Sequence, residues 1–332
     1  MEKGSTDPSA LVLEIMRMST EDGPGLRTTM FLKGCSLSCR WCQNPESISA
    51  KPEVRWIGNR CLGCRECLSA CPVSALSCEE GITVRRNLCT GCGSCAEECP
   101  ASALEVWGRR MTVEEAFKEL MKDRAYFGTD GGVTLSGGEA TLQAPFVKAL
   151  FTRLAKEGVH TALDTCGACS TEQLETSCEQ ADLILYDLKE SDEDLHRRYT
   201  GGSLKLVVDH FKTVVSLVRS SRLHRQVWPD QREKRLWVRT PVIPGMTARR
   251  DNIQGIARII LEHGEGLVDR WELCAFNNLC RDKYRRLGKA WELEEADLLP
   301  AEEMDALVQA AVEAGADADL VHWSGMTRNI KE

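Results

Sequence analysis

Two runs of four cysteines divide this chain: Cys61-x2-Cys64-x2-Cys67-x3-Cys71-Pro72 and Cys89-x2-Cys92-x2-Cys95-x3-Cys99-Pro100. The second repeats the first at a shift of 28 residues, and the echo continues past the cysteines, with Pro72-Val-Ser-Ala-Leu76 matched by Pro100-Ala-Ser-Ala-Leu104. Across residues 53–107 cysteines crowd and the helical period disappears, so strand–helix reasoning stops there and resumes beyond. The predicted organisation is one unit built from residues 1–52 and 108–332, with 53–107 set into it.

Each run resembles the bacterial ferredoxin pattern, in which the fourth cysteine ligates the cluster of the other run. On that pattern Cys61, Cys64, Cys67 and Cys99 hold one four-iron cube, and Cys89, Cys92, Cys95 and Cys71 hold a second. Zinc sites more often use C-x2-C pairs separated by a longer interval. Two four-cysteine runs ending in Cys-Pro point instead to a ferredoxin-like insert carrying two [4Fe-4S] clusters.

A third set, Cys35-x3-Cys39-x2-Cys42, follows the strand-like run Arg27 to Gly34. Three thiolates fill three corners of an iron–sulfur cube that ordinarily takes four, which leaves one iron open to a substrate or cofactor. This spacing, with Trp41 before the last cysteine, resembles the radical S-adenosylmethionine (radical SAM) superfamily. The phrases Asp22-Gly-Pro-Gly-Leu-Arg27 and Phe31-Leu-Lys-Gly-Cys35 through Asn44-Pro45-Glu46 narrow the resemblance to activating enzymes of glycyl radical enzymes.

Net charge is −8 over 332 residues with both signs interspersed, which argues against a polynucleotide partner. The segment Met1-Glu-Lys-Gly-Ser-Thr-Asp-Pro has no apolar signal core, and no later run approaches the roughly 18 apolar residues of a membrane span. Eleven of the seventeen cysteines fall into cluster-type spacings rather than a disulfide framework. A reducing compartment is implied, and the chain is expected to be soluble, cytoplasmic and suited to oxygen-poor conditions.

Strands are predicted at 10–16, 28–33, 132–135, 159–164, 182–187, 236–240 and 270–274, with helices at 112–124, 145–157, 171–179, 204–219, 251–263 and 301–314. Thr112 is a candidate N-cap before Glu114 and Glu115. Alternation of this kind implies an α/β fold with a parallel sheet. Pattern alone fits a doubly wound sheet as well. The resemblance implies a partial (β/α)6 TIM-like barrel with the cysteine loop at the C-terminal end of a strand, where barrel sites form.

Several strand ends carry polar residues. Gly137 and Gly138 leave room for close backbone approach, and Glu139 supplies an acceptor for an ammonium group. Alone, such a motif is more often just a glycine turn. The resemblance makes it the Gly-Gly-Glu motif that holds the methionyl amino group, with Ala140 where the family usually has proline. Asp164, Thr165 and Asp187 are implied to form a monovalent-cation site, with Lys189 in the same pocket, although a strand-end aspartate also serves as a helix cap. Arg239 matches an arginine that reaches the cofactor carboxylate, a natural guanidinium task; the plain reading of it is a strand-end salt bridge. Trp41 is implied to pack near the adenosine. Asn277 stands where the family often carries histidine, and it cannot carry a proton at neutral pH. Cys78, Cys166, Cys169, Cys178, Cys274 and Cys280 read as small buried hydrophobes. The charged stretch from Arg219 to Arg235 reads as a solvated connection, with docking of an acidic partner face as the alternative.

The function implied is reductive cleavage of S-adenosylmethionine at the Cys35/Cys39/Cys42 cluster to a 5′-deoxyadenosyl radical. That radical takes the α-hydrogen of one glycine on a partner glycyl radical enzyme, outside the pyruvate formate-lyase type. Three [4Fe-4S] clusters and a low-potential donor such as flavodoxin or ferredoxin complete the expectation. Two alternatives are a radical SAM enzyme acting directly on a small molecule and a ferredoxin-like electron-transfer protein.

Overall fold

The computed structural model describes residues 7–227 and 232–328. The chain opens with β1 (Ser9–Ser19) and β2 (Arg27–Leu32), an antiparallel pair joined across the Asp22-Gly-Pro-Gly turn. Next come the short strands β3 (Glu53–Trp56), β4 (Leu76–Cys78), β5 (Ile82–Val84) and β6 (Leu104–Trp107), with one-turn helices α1 (Glu66–Ser69) and α2 (Ser94–Glu97) between them. After β7 (Arg109–Thr112) the alternation is regular: α3 (Val113–Met121), β8 (Gly132–Gly137), α4 (Ala144–Lys156), β9 (His160–Thr165), α5 (Thr171–Cys178) and β10 (Leu183–Asp187). The rest is α6 (Glu193–Thr200), α7 (Leu204–Val227), β11 (Arg235–Val242), α8 (Arg250–His263), β12 (Arg270–Ala275), α9 (Arg281–Leu287), α10 (Ala301–Glu313) and β13 (Val321–Ser324).

Among the described residues one sheet has the order β13-β12-β11-β10-β9-β8-β2-β1-β7, parallel from β2 to β13 and antiparallel at β1 and β7. The parallel strands follow an apolar logic: β2 is buried at every position and β10 at all but its last, as a sheet covered on both faces requires. β11 alternates, so Leu236, Val238, Thr240 and Val242 are buried while Trp237, Arg239 and Pro241 take the other face. The helices supply the outer layer of a core that includes Leu150, Phe151, Phe211, Ile256 and Met304. Thr112 caps α3 in a reciprocal capping box with Glu115.

Each strand expected from the sequence is present, with ends shifted by at most three residues. The sheet exceeds the expected count because β13 adds a parallel edge strand and β7 pairs with β1. Both are four residues long; Arg109-Arg-Met-Thr112 lacks a strand-like apolar period, and the alternation of Val321-His-Trp-Ser324 is too short to stand out. Tertiary pairing made them strands. Helices α6 and α9 were also unexpected, and α7 runs on to Val227. Within the charged stretch, Arg222 pairs with Asp269 and Arg232 with Asp182, and Lys234 donates to the carbonyls of Cys178, Glu179 and Ala181. Residues 228–231 of that stretch lie outside the described residues.

The 53–107 stretch leaves and returns at one place, because β3 pairs antiparallel with β6, Glu53 opposite Trp107. Its seam with the rest is polar and tight. Buried Lys33 donates to Glu53 Oε2 at 3.0 Å, and Arg86 Nη2 donates to the Arg286 carbonyl at 2.9 Å.

Candidate active site

The parallel strands all end on one side, and that end carries a cavity of about 540 Å³, a size suited to a small-molecule cofactor. The loop after β2 brings Cys35, Trp41 and the other two loop cysteines, Cys39 and Cys42, to its wall. Gly137 and Gly138 end β8, Asp164 and Thr165 end β9, and Asp187 ends β10 with Lys189 just beyond; Arg239 comes from β11, and all of these line the same cavity. Strand register places them at one level, with Asp187 beside Arg239 and Arg239 beside Glu272.

Glu139, expected to face an ammonium group, is not part of that lining. Its carboxylate is buried behind the wall, where Oε1 accepts from Thr141 Oγ1 at 2.6 Å and Thr165 Oγ1 at 2.7 Å, and Oε2 accepts from the Cys166 backbone N–H at 2.9 Å. It therefore clamps the end of β9 to the turn after β8. The two glycines before it, read from the sequence as room for a ligand, are demanded by a neighbouring chain. A Cβ on Gly137 would stand 2.2 Å from Leu32 O, and one on Gly138 2.2 Å from Gly34 O. Without them β8 could not close against the start of the cysteine loop.

The wall carries both signs of charge at close quarters. Asp164 Oδ2 accepts from Ser136 Oγ at 2.6 Å and lies 3.8 Å from Arg239 Nη1, while Arg239 Nε lies 3.5 Å from Glu272 Oε2. Burial, reinforced by Asp187, pushes the Asp164 carboxyl up to about 7 against the pull of Arg239. Burial works against the Lys189 ammonium, but Asp187, to which it donates, and the thiols of Cys39 and Cys166 raise it well above its ordinary value. Asp164 Oδ1 and Arg239 Nε are buried and have no hydrogen-bond partner in the protein. Side chains of opposite charge lining one cavity, Asp164 and Asp187 with Lys189 and Arg239, fit a ligand with its own ammonium or cation and its own carboxylate.

Burial likewise pushes the thiols of Cys35, Cys39 and Cys42 each up to about 12. A cationic metal centre is what turns such thiols into thiolates. Among the described residues no three His, Cys, Asp or Glu side chains converge as one metal ion would require. A four-iron cube binds its cysteines at outward corners, so its ligands stand farther apart.

The other eight cluster-type cysteines gather in two smaller cavities. Cys61, Cys64, Cys67 and Cys99 line one, which Cys78 also borders; Cys71, Cys89, Cys92 and Cys95 line the other. Each takes three cysteines from one run and the last from the other. The repeat is also geometric: Ala75 N donates to Cys71 Sγ at 3.1 Å and Ala103 N to Cys99 Sγ at 3.2 Å. Arg65 and Gly93, before α1 and α2, are both left-handed, as are Ser74 and Ser102. A larger groove of about 1070 Å³ lies among α3, α4 and α5. Its Lys148 and Arg153 are already paired with Glu179 and Glu157, and it gathers no reactive set.

Comparison with known proteins agrees with this geometry. The profile of the radical SAM superfamily matches residues 29–224. The trans-4-hydroxy-L-proline dehydratase activating enzyme of Clostridioides difficile is 36% identical over 297 residues, covering 88% of this chain and 92% of that protein. The (2S)-3-sulfopropanediol dehydratase activating enzyme of Klebsiella oxytoca is 33% identical over 294 residues, covering 86% and 88%. The benzylsuccinate synthase activating enzyme of Thauera aromatica is 34% identical over 310 residues, covering 90% and 89%. The chain belongs to the radical SAM activating enzymes of glycyl radical enzymes.

In this activating enzyme the sequence reading missed the residues that hold the cysteine loop. Ser38 N donates to Thr200 O at 2.8 Å and Arg40 N to Tyr199 O at 3.0 Å, from the end of α6; Trp41 meets the Tyr199 ring edge-on. Helix α9 and the segment after it also hold the loop, through Tyr284 and Trp291. Of the cysteines read as buried hydrophobes, Cys166, Cys274 and Cys280 line the cavity. Asn277 lines it too, and its carbonyl accepts from Gln43 Nε2 at 2.8 Å. Tyr199 and Thr200 had no local signal, since the loop residues they hold lie more than a hundred residues earlier.

Proposed function

We propose that this activating enzyme carries three [4Fe-4S] clusters and binds S-adenosylmethionine to install a glycyl radical on a partner outside the pyruvate formate-lyase type. The fold read here is a partial (β/α)6 TIM-like barrel made of residues 1–52 and 108–332, with residues 53–107 as a ferredoxin-like two-cluster insert. Among the described residues no helix is long and apolar enough to cross a membrane, and the reading places the enzyme in a reducing cytoplasm. A low-potential carrier such as flavodoxin or ferredoxin supplies the electron.

With cluster and cofactor bound, the chemistry supplied is one-electron cleavage of S-adenosylmethionine to methionine and a 5′-deoxyadenosyl radical, which removes a glycine α-hydrogen from the partner. The protein's part is ligation and orientation. Cys35, Cys39 and Cys42 hold three corners of a cluster and leave one iron open. Arg239 receives the methionyl carboxylate, the backbone of Gly137 and Gly138 faces the amino group, and Trp41 packs near the adenosine. Asp164, Thr165 and Asp187 hold a monovalent cation beside that carboxylate, with Lys189 closing the same pocket. Glu139 positions Thr165 from behind. In the insert, Cys61, Cys64, Cys67 and Cys99 hold one cluster, and Cys71, Cys89, Cys92 and Cys95 the other.

The observation that carries the reading is the single cavity where the three loop cysteines meet Asp164 and Arg239, each with a buried polar atom lacking a partner. The test is anaerobic reconstitution, reduction and addition of S-adenosylmethionine. The wild type should take up about twelve irons, as three cubes require, and form 5′-deoxyadenosine, whereas Cys35→Ala should form none. Equal product from both proteins would overturn the assignment.

A further inference from the structure

Two backbone carbonyls of the cysteine loop, those of Arg40 and Cys42, each receive an aromatic donor from far along the chain. Tyr284 Oη donates to Cys42 O at 3.0 Å, and Trp291 Nε1 donates to Arg40 O at 2.9 Å. The two rings stack on each other, with centroids 4.8 Å apart and planes within 8°. Both side chains are buried, in a small core that also contains Trp41 and Phe276. Around them the segment from Asn277 to Glu294 touches the loop repeatedly: Lys283 Nζ reaches Asn44 Oδ1 and Glu46 Oε1, each at 2.7 Å, and Arg40 pairs with Glu292. The far end of α9 meets the 53–107 stretch through the Arg286 carbonyl, which accepts from Arg86. The segment itself lies beyond residues 29–224, where the superfamily profile matches.

From this geometry we infer that residues 277–294 form a bracket, with the Tyr284–Trp291 stack as its working part, that positions the loop carrying the radical-generating cluster. The inference rests on the cluster assignment proposed above. A cluster held by three protein ligands has less anchorage than one held by four, so the carbonyls that set the backbone path between Cys39 and Cys42 matter more here than in the insert. Outer partners of metal ligands commonly change metal retention by roughly 10–100-fold. Tyr284 and Trp291 do not line the cavity; they are positioning residues that act through the Arg40 and Cys42 backbone.

The test uses Tyr284→Phe, Trp291→Phe and the double variant in the full chain, reconstituted anaerobically. Phenylalanine keeps an aromatic ring and removes the donor. Three quantities are read: iron per chain, the rate of iron loss to a chelator, and the change in the electron paramagnetic resonance of the reduced protein when S-adenosylmethionine is added. Each single variant should lose the loop cluster roughly tenfold faster. The double variant should fall from about twelve towards about eight irons, lose the S-adenosylmethionine-dependent spectral change, and keep the signals of the insert. A double variant with full iron and an unchanged spectral response overturns the bracket. So does loss of all clusters in parallel, which would mark a general defect in folding. A wild type that itself shows no spectral response would reject the functional reading instead, so the two failures are told apart.

Discussion

The loop at the cavity and the 53–107 stretch both gather cysteines, and each has a local N–H donor to a sulfur, but only the loop also leans on distant segments. In the insert the supports are local and doubled: Ala75 serves Cys71, Ala103 serves Cys99, and left-handed residues recur in register with the repeat. The loop of Cys35, Cys39 and Cys42 leans also on Tyr199, Thr200, Tyr284 and Trp291, contributed by α6 and by the chain around and after α9. A repeated unit carries its own scaffold. On the proposed cluster assignment, a catalytic loop that leaves one metal corner open has to take its precision from the rest of the fold.

The comparison breaks most directly at the crossed ligand sets. If each insert cavity draws its fourth cysteine from the other run, a Cys61→Ala, Cys99→Ala double variant damages one cluster and retains about eight irons. The Cys61→Ala, Cys71→Ala pair damages two and retains about four. Iron analysis giving the reverse order would mean uncrossed sites. Both variants should still form 5′-deoxyadenosine with a chemical reductant, because the loop cluster does not share ligands with the insert.

A smaller effect sharpens the contrast between the two halves of the insert. Gly63 and Gly91 are equivalent in the repeat and both left-handed, at φ 72° and 70°. A Cβ on Gly63 meets nothing within 4 Å, whereas one on Gly91 would stand 2.3 Å from Pro52 O. Gly63→Ala should cost about 1 kcal/mol from backbone conformation alone. Gly91→Ala should cost about 3 kcal/mol, because the seam with the segment after the cysteine loop must also open. Anaerobic denaturant unfolding of the two proteins checks the difference, and equal losses would mean that the halves are not distinguished by this contact.

An effect of comparable size lies at the opposite end of the sheet from the cavity. His160 is pushed down to about 4, first by burial and then by Arg27, with Arg232 and Arg235 adding to this and Asp182 opposing it. The folded protein resists protonating this ring while the unfolded chain protonates it near 6.5, so stability is full above that value and declines as pH falls from about 6.5 to about 4. Allowing for partial solvent screening, the loss is on the order of 2 kcal/mol. His160→Gln should flatten that part of the stability profile, and an unchanged slope would assign the acid sensitivity elsewhere.

How much was legible in advance follows the same division. Cys61 to Cys99 announced their grouping through spacing and repetition, and the two cavities have that membership. The strands ending at Gly137, Thr165 and Asp187 were legible because buried parallel strands are short apolar runs, and polar residues at their ends stand out. The Glu139 side chain was not, because a carboxylate after two glycines looks the same whether it faces a ligand or its own neighbours. Strands β7 and β13 were missed because edge strands need little apolar pattern of their own.

By itself the sequence determined the chemistry: which thiols exist, at what spacing, and on which strand ends the charged partners sit. These are properties of neighbouring residues, and covalent proximity preserves them. Only the tertiary structure decided that Gly137 and Gly138 are small to admit the chain at Leu32 and Gly34, that Glu139 turns inward, and that Tyr284 and Trp291 grip a loop more than two hundred residues earlier. Such contacts arise when distant segments pack to bury apolar surface and satisfy backbone polar groups together, and that condition is met in space without a signature in the order of the residues.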